Sequence, residues 1–336
     1  MRIATFNIEN LDHNAVPPRP SDADFATRAR ILRPMLERLR ARIICFQEVH
    51  GQTPPGGGPR DLLALRDLLA GTRYEGYSLS STRLANGRDV WRFRNLVVAA
   101  HPDYAVEEVR SIGNTLVNPP RYSLVTSNRP DPLVEVSWER PALYVRLRRG
   151  DDAPLHVLNV HFKSKHPSPV PGQGPVNHEW ATVSGWAEGY FLSSMKRVGA
   201  ALETRLFIDA IFDAEPEPNI LICGDFNAEP HEVPVMAIRG RVEETGNAAL
   251  VHRVMHPVAL SVAESLRFTL YHHGRPNLLD HMLVSRRMMS CFRQAEIHNE
   301  MLHDESVAFA TDRKYPESDH APMLAEFDMQ ANLLGA

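Results

Sequence analysis

Two kinds of apolar pattern alternate along this chain, and the alternation sets the fold class. Short, nearly uninterrupted apolar runs at Arg2–Phe6, Ile43–Phe46, Asn95–Ala100 and Ile220–Cys223 read as strands covered on both faces. Ala142–Leu147 and Leu155–Val160 predict a strand pair across RRGDDAP, and Leu278–Val284 and Pro322–Phe327 supply late strands. Between them the spacing turns helical. Phe25–Arg40 carries Ile31, Leu32, Met35, Leu36 and Leu39 on one face, with Asp22 or Asp24 as cap and Pro34 predicting a kink. Arg60–Ala70 reads as a second helix and about Ala187–Phe212 as a long third one. Strands alternating with helices predict a single mixed α/β domain over residues 1–336. The Pro/Gly-rich stretches QTPPGGGP and HPSPVPGQG read as loops within it. The second opens a loop-plus-helix insertion at about 166–195, expected to form a flap over the substrate groove.

Charge narrows the partners. The 37 basic and 41 acidic residues of this 336-residue chain give a net charge of −4. That balance offers no basic footprint for tight, salt-driven nucleic-acid binding, though a catalyst could still hold nucleic acid briefly. No apolar run approaches the roughly 18 residues that a membrane span requires. The N-terminal MRIATFNIEN lacks the pattern of a secretory signal, so a cytoplasmic location is expected. Cys45 and Cys223 sit inside apolar runs and read as buried, inert thiols of a reducing compartment.

Several apolar runs end abruptly in polar side chains. IATF ends in Asn7, IICFQ in Glu48, LHVLNV in His161, and ILICG in Asp225 with Asn227 beyond it; LL precedes Asp280, and Asp319–His320 opens the last strand. Any one of these could simply start a turn through local hydrogen bonds. Repeated over six segments, the pattern favours a site at one end of the strands. The carboxylates and amide oxygens are hard ligands suited to Mg²⁺ or Mn²⁺, and two histidines with carboxylate partners can move protons. Together they point to attack of water on a phosphate ester.

The segments TFNIENL, QEVH, ERPAL, NVHFKSK, GDFNAEP, LLDHMLVS and SDHAPM occur in the order seen in the endonuclease/exonuclease/phosphatase superfamily, and the chain resembles its bacterial nuclease-like branch from Thr5 to Met323. The resemblance implies a deoxyribonuclease I-like, four-layered α/β/β/α sandwich with two packed mixed β-sheets. It implies Glu48 as principal metal ligand, assisted by Asn7 and Asp319, for Mg²⁺ or Mn²⁺. Asp225 would orient or deprotonate the attacking water, and Asn227 would hold that water or a phosphate oxygen. His320 would contact the scissile phosphate with Asp280 fixing its tautomer, His161 would assist the leaving oxygen, and Arg140 would bind phosphate.

This implies a metal-dependent phosphodiester hydrolase, a nuclease whose transient substrate is DNA or RNA, acting as a monomer. The alternatives are a phosphatase or phosphodiesterase acting on a small or lipid phosphate, and an inactive binding scaffold. Lys163 and Lys165 are divided evenly between solvated loop and phosphate contact. His272, His273, His298 and His303 read as surface or loop residues. Trp180, Trp186, Tyr190 and Phe191 read as packing of the inserted helix rather than as stacking partners for bases.

Overall fold

Each predicted strand core pairs with a neighbour in one of two six-stranded sheets in the computed structural model, which describes residues 1–14, 23–176, 179–311 and 315–329. From edge to edge, the first sheet runs Phe292–Ile297, Met323–Phe327, Arg2–Leu11, Ile43–Val49, Asn95–Ala100 and Ser78–Ser81. The second runs His256–Pro257, Asp280–Val284, Asn219–Asp225, Leu155–His161, Ala142–Arg148 and Ala105–Ile112. Both mix parallel and antiparallel neighbours: Arg2–Leu11 is parallel to Ile43–Val49, and Asn219–Asp225 is parallel to Leu155–His161.

Alternation along the strands divides the apolar residues among three layers of core. Ile3, Ile43, Cys45, Val98, Val145, Val157, Leu221 and Met282 fill the space between the sheets. Their neighbours Ala4, Phe6, Ile44, Phe46 and Val97 face outward onto Leu32, Leu36 and Leu39 of the Phe25–Leu39 helix and onto Leu65 and Leu68 of the Leu63–Leu69 helix. On the other side, Tyr144, Leu158, Val160, Ile220 and Ile222 meet Ala201, Phe207, Ile208 and Ile211 of the Val183–Ala214 helix. The expected four-layered α/β/β/α sandwich follows from that two-sided burial.

The central elements match the sequence reading, and the differences have local causes. Asp24 caps the first helix by accepting from the Thr27 N–H at 2.9 Å, and the helix runs past Pro34 to Leu39; Asp22 lies outside the described residues. The second helix starts at Leu63 rather than Arg60, because Asp61 pairs with Gln52 and the Gln52 side chain accepts from the Ala64 N–H. The long helix begins at Val183, four residues earlier than expected, where Thr182 caps it. Cys45 and Cys223 are buried and unoxidised, as expected. No helix among the described residues is long and apolar enough to cross a membrane.

Candidate active site

Strand register brings the polar ends together. Asp225 stands opposite Asp280 on its antiparallel neighbour and opposite His161 on its parallel one, so all three share one rung at the end of the second sheet. In the first sheet Asn7 pairs with Gln47, which places Glu48 one residue beyond on the facing rim. Beneath them the amide of Gln47 bridges the sheets. It donates to Asn159 Oδ1 at 2.7 Å, and Asn159 in turn donates to the Phe46 and Val97 carbonyls. This buried, fully engaged pair fixes one sheet against the other directly under the site.

The backbone itself is bent to present these groups. Glu9, Asn10, Glu48, Arg94 and Asn227 all adopt left-handed conformations, with φ of +50°, +47°, +61°, +55° and +48°. For a residue such as Glu48 that conformation costs energy and persists where the surroundings impose it, as they often do at functional sites. The pairing of Arg2–Leu11 with Ile43–Val49 shifts register between Asn7 and Leu11, so Asn7, Glu9 and Asn10 fold over the rim.

Every predicted site residue except Asp280 lines a single open cleft of about 870 Å³. Asp280 lies behind its wall, where its carboxylate receives His320 Nδ1 at 2.6 Å. Burial alone would lower the His320 pKa, but Asp280, Asp225 and Asp319 outweigh it and raise it well above the usual value. His320 Nε2 then lies 3.9 Å from Asp225. Burial pushes Asp225 up to about 7 against the opposing charge of His320. Its carboxylate accepts from the Asn227 N–H at 2.8 Å and from the side-chain amides of Asn7 at 3.2 Å and Asn227 at 3.1 Å. His161 stands between two carboxylates, with Nε2 3.3 Å from Asp225 and 3.7 Å from Glu48. Burial, followed by the charges of Arg140 and Arg94, nevertheless holds the ring well below its ordinary pKa, so it is neutral near pH 7.

Glu48 behaves differently. Burial would raise its pKa, but Arg94, Arg140, His320 and His50 more than compensate, and the carboxyl stays below the ordinary range. Its Oε2 accepts from the Asn10 N–H at 3.1 Å and faces Arg94 Nε at 3.7 Å. Arg140 lies in the turn before the Ala142–Arg148 strand rather than on it, its guanidinium held by the Phe162 carbonyl at 3.3 Å. The Ser-Asp-His segment is tied to the first strand: Ser318 Oγ donates to the Asn7 carbonyl, and the Asp319 N–H donates to Glu9 Oε2.

These groups suit a divalent ion bound mainly through one carboxylate. Glu48 is ionised and open to the cleft, while burial raises Asp319 to about 6, with Glu305 and Glu48 adding to the rise. A cation would relieve that crowding of carboxylates. Among the described residues no group of three or more His, Cys, Asp or Glu side chains is placed to hold a metal ion. An ion bound here would draw on one or two carboxylates and an amide oxygen, donors that suit Mg²⁺ better than zinc.

Several cleft residues were invisible from sequence. Glu9, Asn10 and Arg94 line the rim, and only the alternation of Asn7 with Glu9 along one strand hinted at the first. His272 and His273 are partly exposed, as the surface reading expected, and both also line the cleft, with His272 Nδ1 3.1 Å from Glu305. His303 is buried by stacking on Tyr315 at 3.8 Å, whereas His298 pairs with Glu296. Neither reading of the lysines holds fully. Lys163 folds back on Ser164 and the His166 carbonyl, and Lys165, on the cleft wall, pairs with Glu232.

The comparisons with known proteins agree with this architecture. Residues 175–314, which include Asp225, Asn227 and Asp280, match the Endonuclease/Exonuclease/phosphatase family. Solved structures that align over 97–98% of the chain share its deoxyribonuclease I-like fold. It is similar to a mannosyl-6-phosphatase from Bacteroides thetaiotaomicron VPI-5482 at 14% identity and TM-score 0.59, over 98% of this chain and 99% of that one. Truncated TDP2 from Caenorhabditis elegans aligns at 15% identity and TM-score 0.55, over 97% and 96%. A variant of the 3′ phosphatase NExo from Neisseria, bound to product DNA hairpin, aligns at 14% identity and TM-score 0.52, over 98% and 99%. No curated protein matches the chain in sequence.

Proposed function

We propose that this chain is a metal-assisted phosphodiester hydrolase of nuclease type. One observation carries the reading: a carboxyl raised toward neutrality, Asp225, shares a cleft with the ionised Glu48 and with a protonated His320 that Asp280 supports from behind the cleft wall. Asp225 takes a proton from water as the water oxygen attacks phosphorus, the opposite P–O bond breaks, and the departing oxygen takes its proton from solvent, while Asn227 and Asn7 hold the Asp225 carboxylate in place. His320 presents Nε2–H to the phosphate, while Asp280 fixes the tautomer and keeps the ring charged. Arg140 adds a fixed cation for the equatorial oxygens, whose negative charge grows in the transition state. Glu48 would hold Mg²⁺ or Mn²⁺ with Asn7 and Asp319 as further oxygen donors, and such an ion supplies Lewis-acid stabilisation of the phosphate. His161 is assigned to positioning Asp225 and Glu48, because a ring held neutral is a poor proton donor to a leaving oxygen.

The likeness to a mannosyl-6-phosphatase gives a small phosphate monoester as the second reading. Hydrolysis of bis-(p-nitrophenyl) phosphate and of p-nitrophenyl phosphate, each with Mg²⁺ or Mn²⁺, separates the possibilities. Preference for the diester supports the nuclease reading, preference for the monoester the phosphatase. Hydrolysis of neither leaves a binding scaffold.

A further inference from the structure

The nuclease reading leaves two large aromatic side chains unexplained. Trp186 and Tyr190 lie one helical turn apart near the start of the Val183–Ala214 helix, their ring centroids 5.6 Å apart and their planes 34° from each other. They remain 45% and 39% exposed, and both line the catalytic cleft. Trp180 behaves as sequence reasoning expected, packing against Leu124, Val136, Val170 and Leu192. Trp186 and Tyr190 do not.

The helix is fixed so that these rings keep their place. On its inner face Glu188 accepts from the Val125 and Thr126 N–H groups, Tyr122 and Thr126, while Ser193 donates to the His166 carbonyl. Gly189 lets the Ser168 backbone and the Trp180 ring approach so closely that an added Cβ would stand 2.5 Å from the Ser168 carbonyl oxygen. With that face anchored, the two half-exposed rings are held in the wall of the cleft.

We propose that Trp186 and Tyr190 are a base-stacking platform, and that the substrate is engaged through an unpaired nucleotide next to the scissile phosphate. This rests on the nuclease reading and narrows it. Stacking needs an exposed base face, which single strands and strand ends offer and duplex interiors do not. Charge favours the same class. The chain carries −4 overall, and on the cleft wall Lys165 is already paired with Glu232 and Arg94 faces Glu48. A net-negative chain gains little from salt-driven contact along duplex phosphates, which favours stacking on rings that line the cleft as the source of affinity.

The test uses the full chain, Mg²⁺ and labelled single-stranded oligonucleotides, one with normal bases and one with an abasic residue next to the cleaved linkage. Trp186→Ala should raise KM for the normal strand by about 5- to 100-fold, as loss of one stacked base does. The same variant should leave KM for the abasic strand unchanged, and Trp186→Phe should restore most of the loss. Oligonucleotide should also quench the wild-type tryptophan fluorescence in Ca²⁺, and Trp186→Phe should remove most of that quench. Cleavage of the normal strand with KM unaltered by Trp186→Ala and Tyr190→Ala would overturn the platform and leave the nuclease reading standing. Quenching without any hydrolysis would keep the platform and remove the nuclease. Neither binding nor cleavage of any oligonucleotide would overturn both.

Discussion

His320 and Asp280 lie forty positions apart, and their 2.6 Å contact is the clearest case of two residues acting as one group. If the pair binds the phosphate as an imidazolium, His320→Ala should lower kcat by about 10²–10⁴, the range for positioned acid–base groups. Asp280→Asn should cost a similar factor, and the double variant should be scarcely worse than either single one. The pH profile adds a readout that general damage would not move. Asp225 must be deprotonated and its pKa is raised, so the acid limb should lie well above the ordinary carboxylate range. His320 must be protonated and its pKa is raised, so activity should persist above about pH 6.5 and fall as pH passes through that higher value. Asp280→Asn removes the charge that supports the proton, so the alkaline limb should move down. Additive losses with an unmoved limb would show that the two side chains act separately. Sequence alone contained the types and the order of these residues. It did not contain the surroundings that set their charge: burial, Arg140 and Arg94 keep His161 neutral, whereas Asp280, Asp225 and Asp319 outweigh burial and keep His320 charged.

The strands were legible because burial on both faces writes itself as continuous apolar runs, and the first helix was legible by its period. Edge elements were not. Phe292–Ile297 is an edge strand with exposed Arg293 and Gln294, and Ala105–Ile112 is almost wholly exposed, so neither carries a core signature. The junction between the sheets was equally hidden, because Gln47 and Asn159 look like ordinary polar interruptions until the sheets face each other. Asn159→Ala would take one acceptor from the Gln47 amide, which keeps Thr5 Oγ1 and the Cys45 carbonyl, and would remove the side-chain donor from the Phe46 and Val97 carbonyls. Denaturant unfolding should then show a loss of about 3 kcal/mol, since each buried group left unsatisfied costs about 1–3 kcal/mol. Because the pair lies under Glu48 and His161, activity should drop as well. A stability change below about 0.5 kcal/mol, the size of a neutral surface substitution, would mean the bridge is dispensable.

Across the whole molecule, two packed sheets whose strands end at one rim convert scattered strand ends into a single cleft. At that cleft Arg140 and Arg94 lie beside the Asp225, Glu48 and His320 side chains. The central claim is that Glu48 anchors a divalent ion which the phosphodiester chemistry requires. A Mg²⁺ titration of bis-(p-nitrophenyl) phosphate hydrolysis by wild type and Glu48→Gln, run alongside thermal melts, tests it most directly. Wild-type activity should vanish in EDTA and return with Mg²⁺ or Mn²⁺ while the melting temperature stays nearly constant. Glu48→Gln should shift the titration midpoint to clearly higher Mg²⁺. Full activity in chelator, or an unmoved midpoint in the variant, would contradict the account.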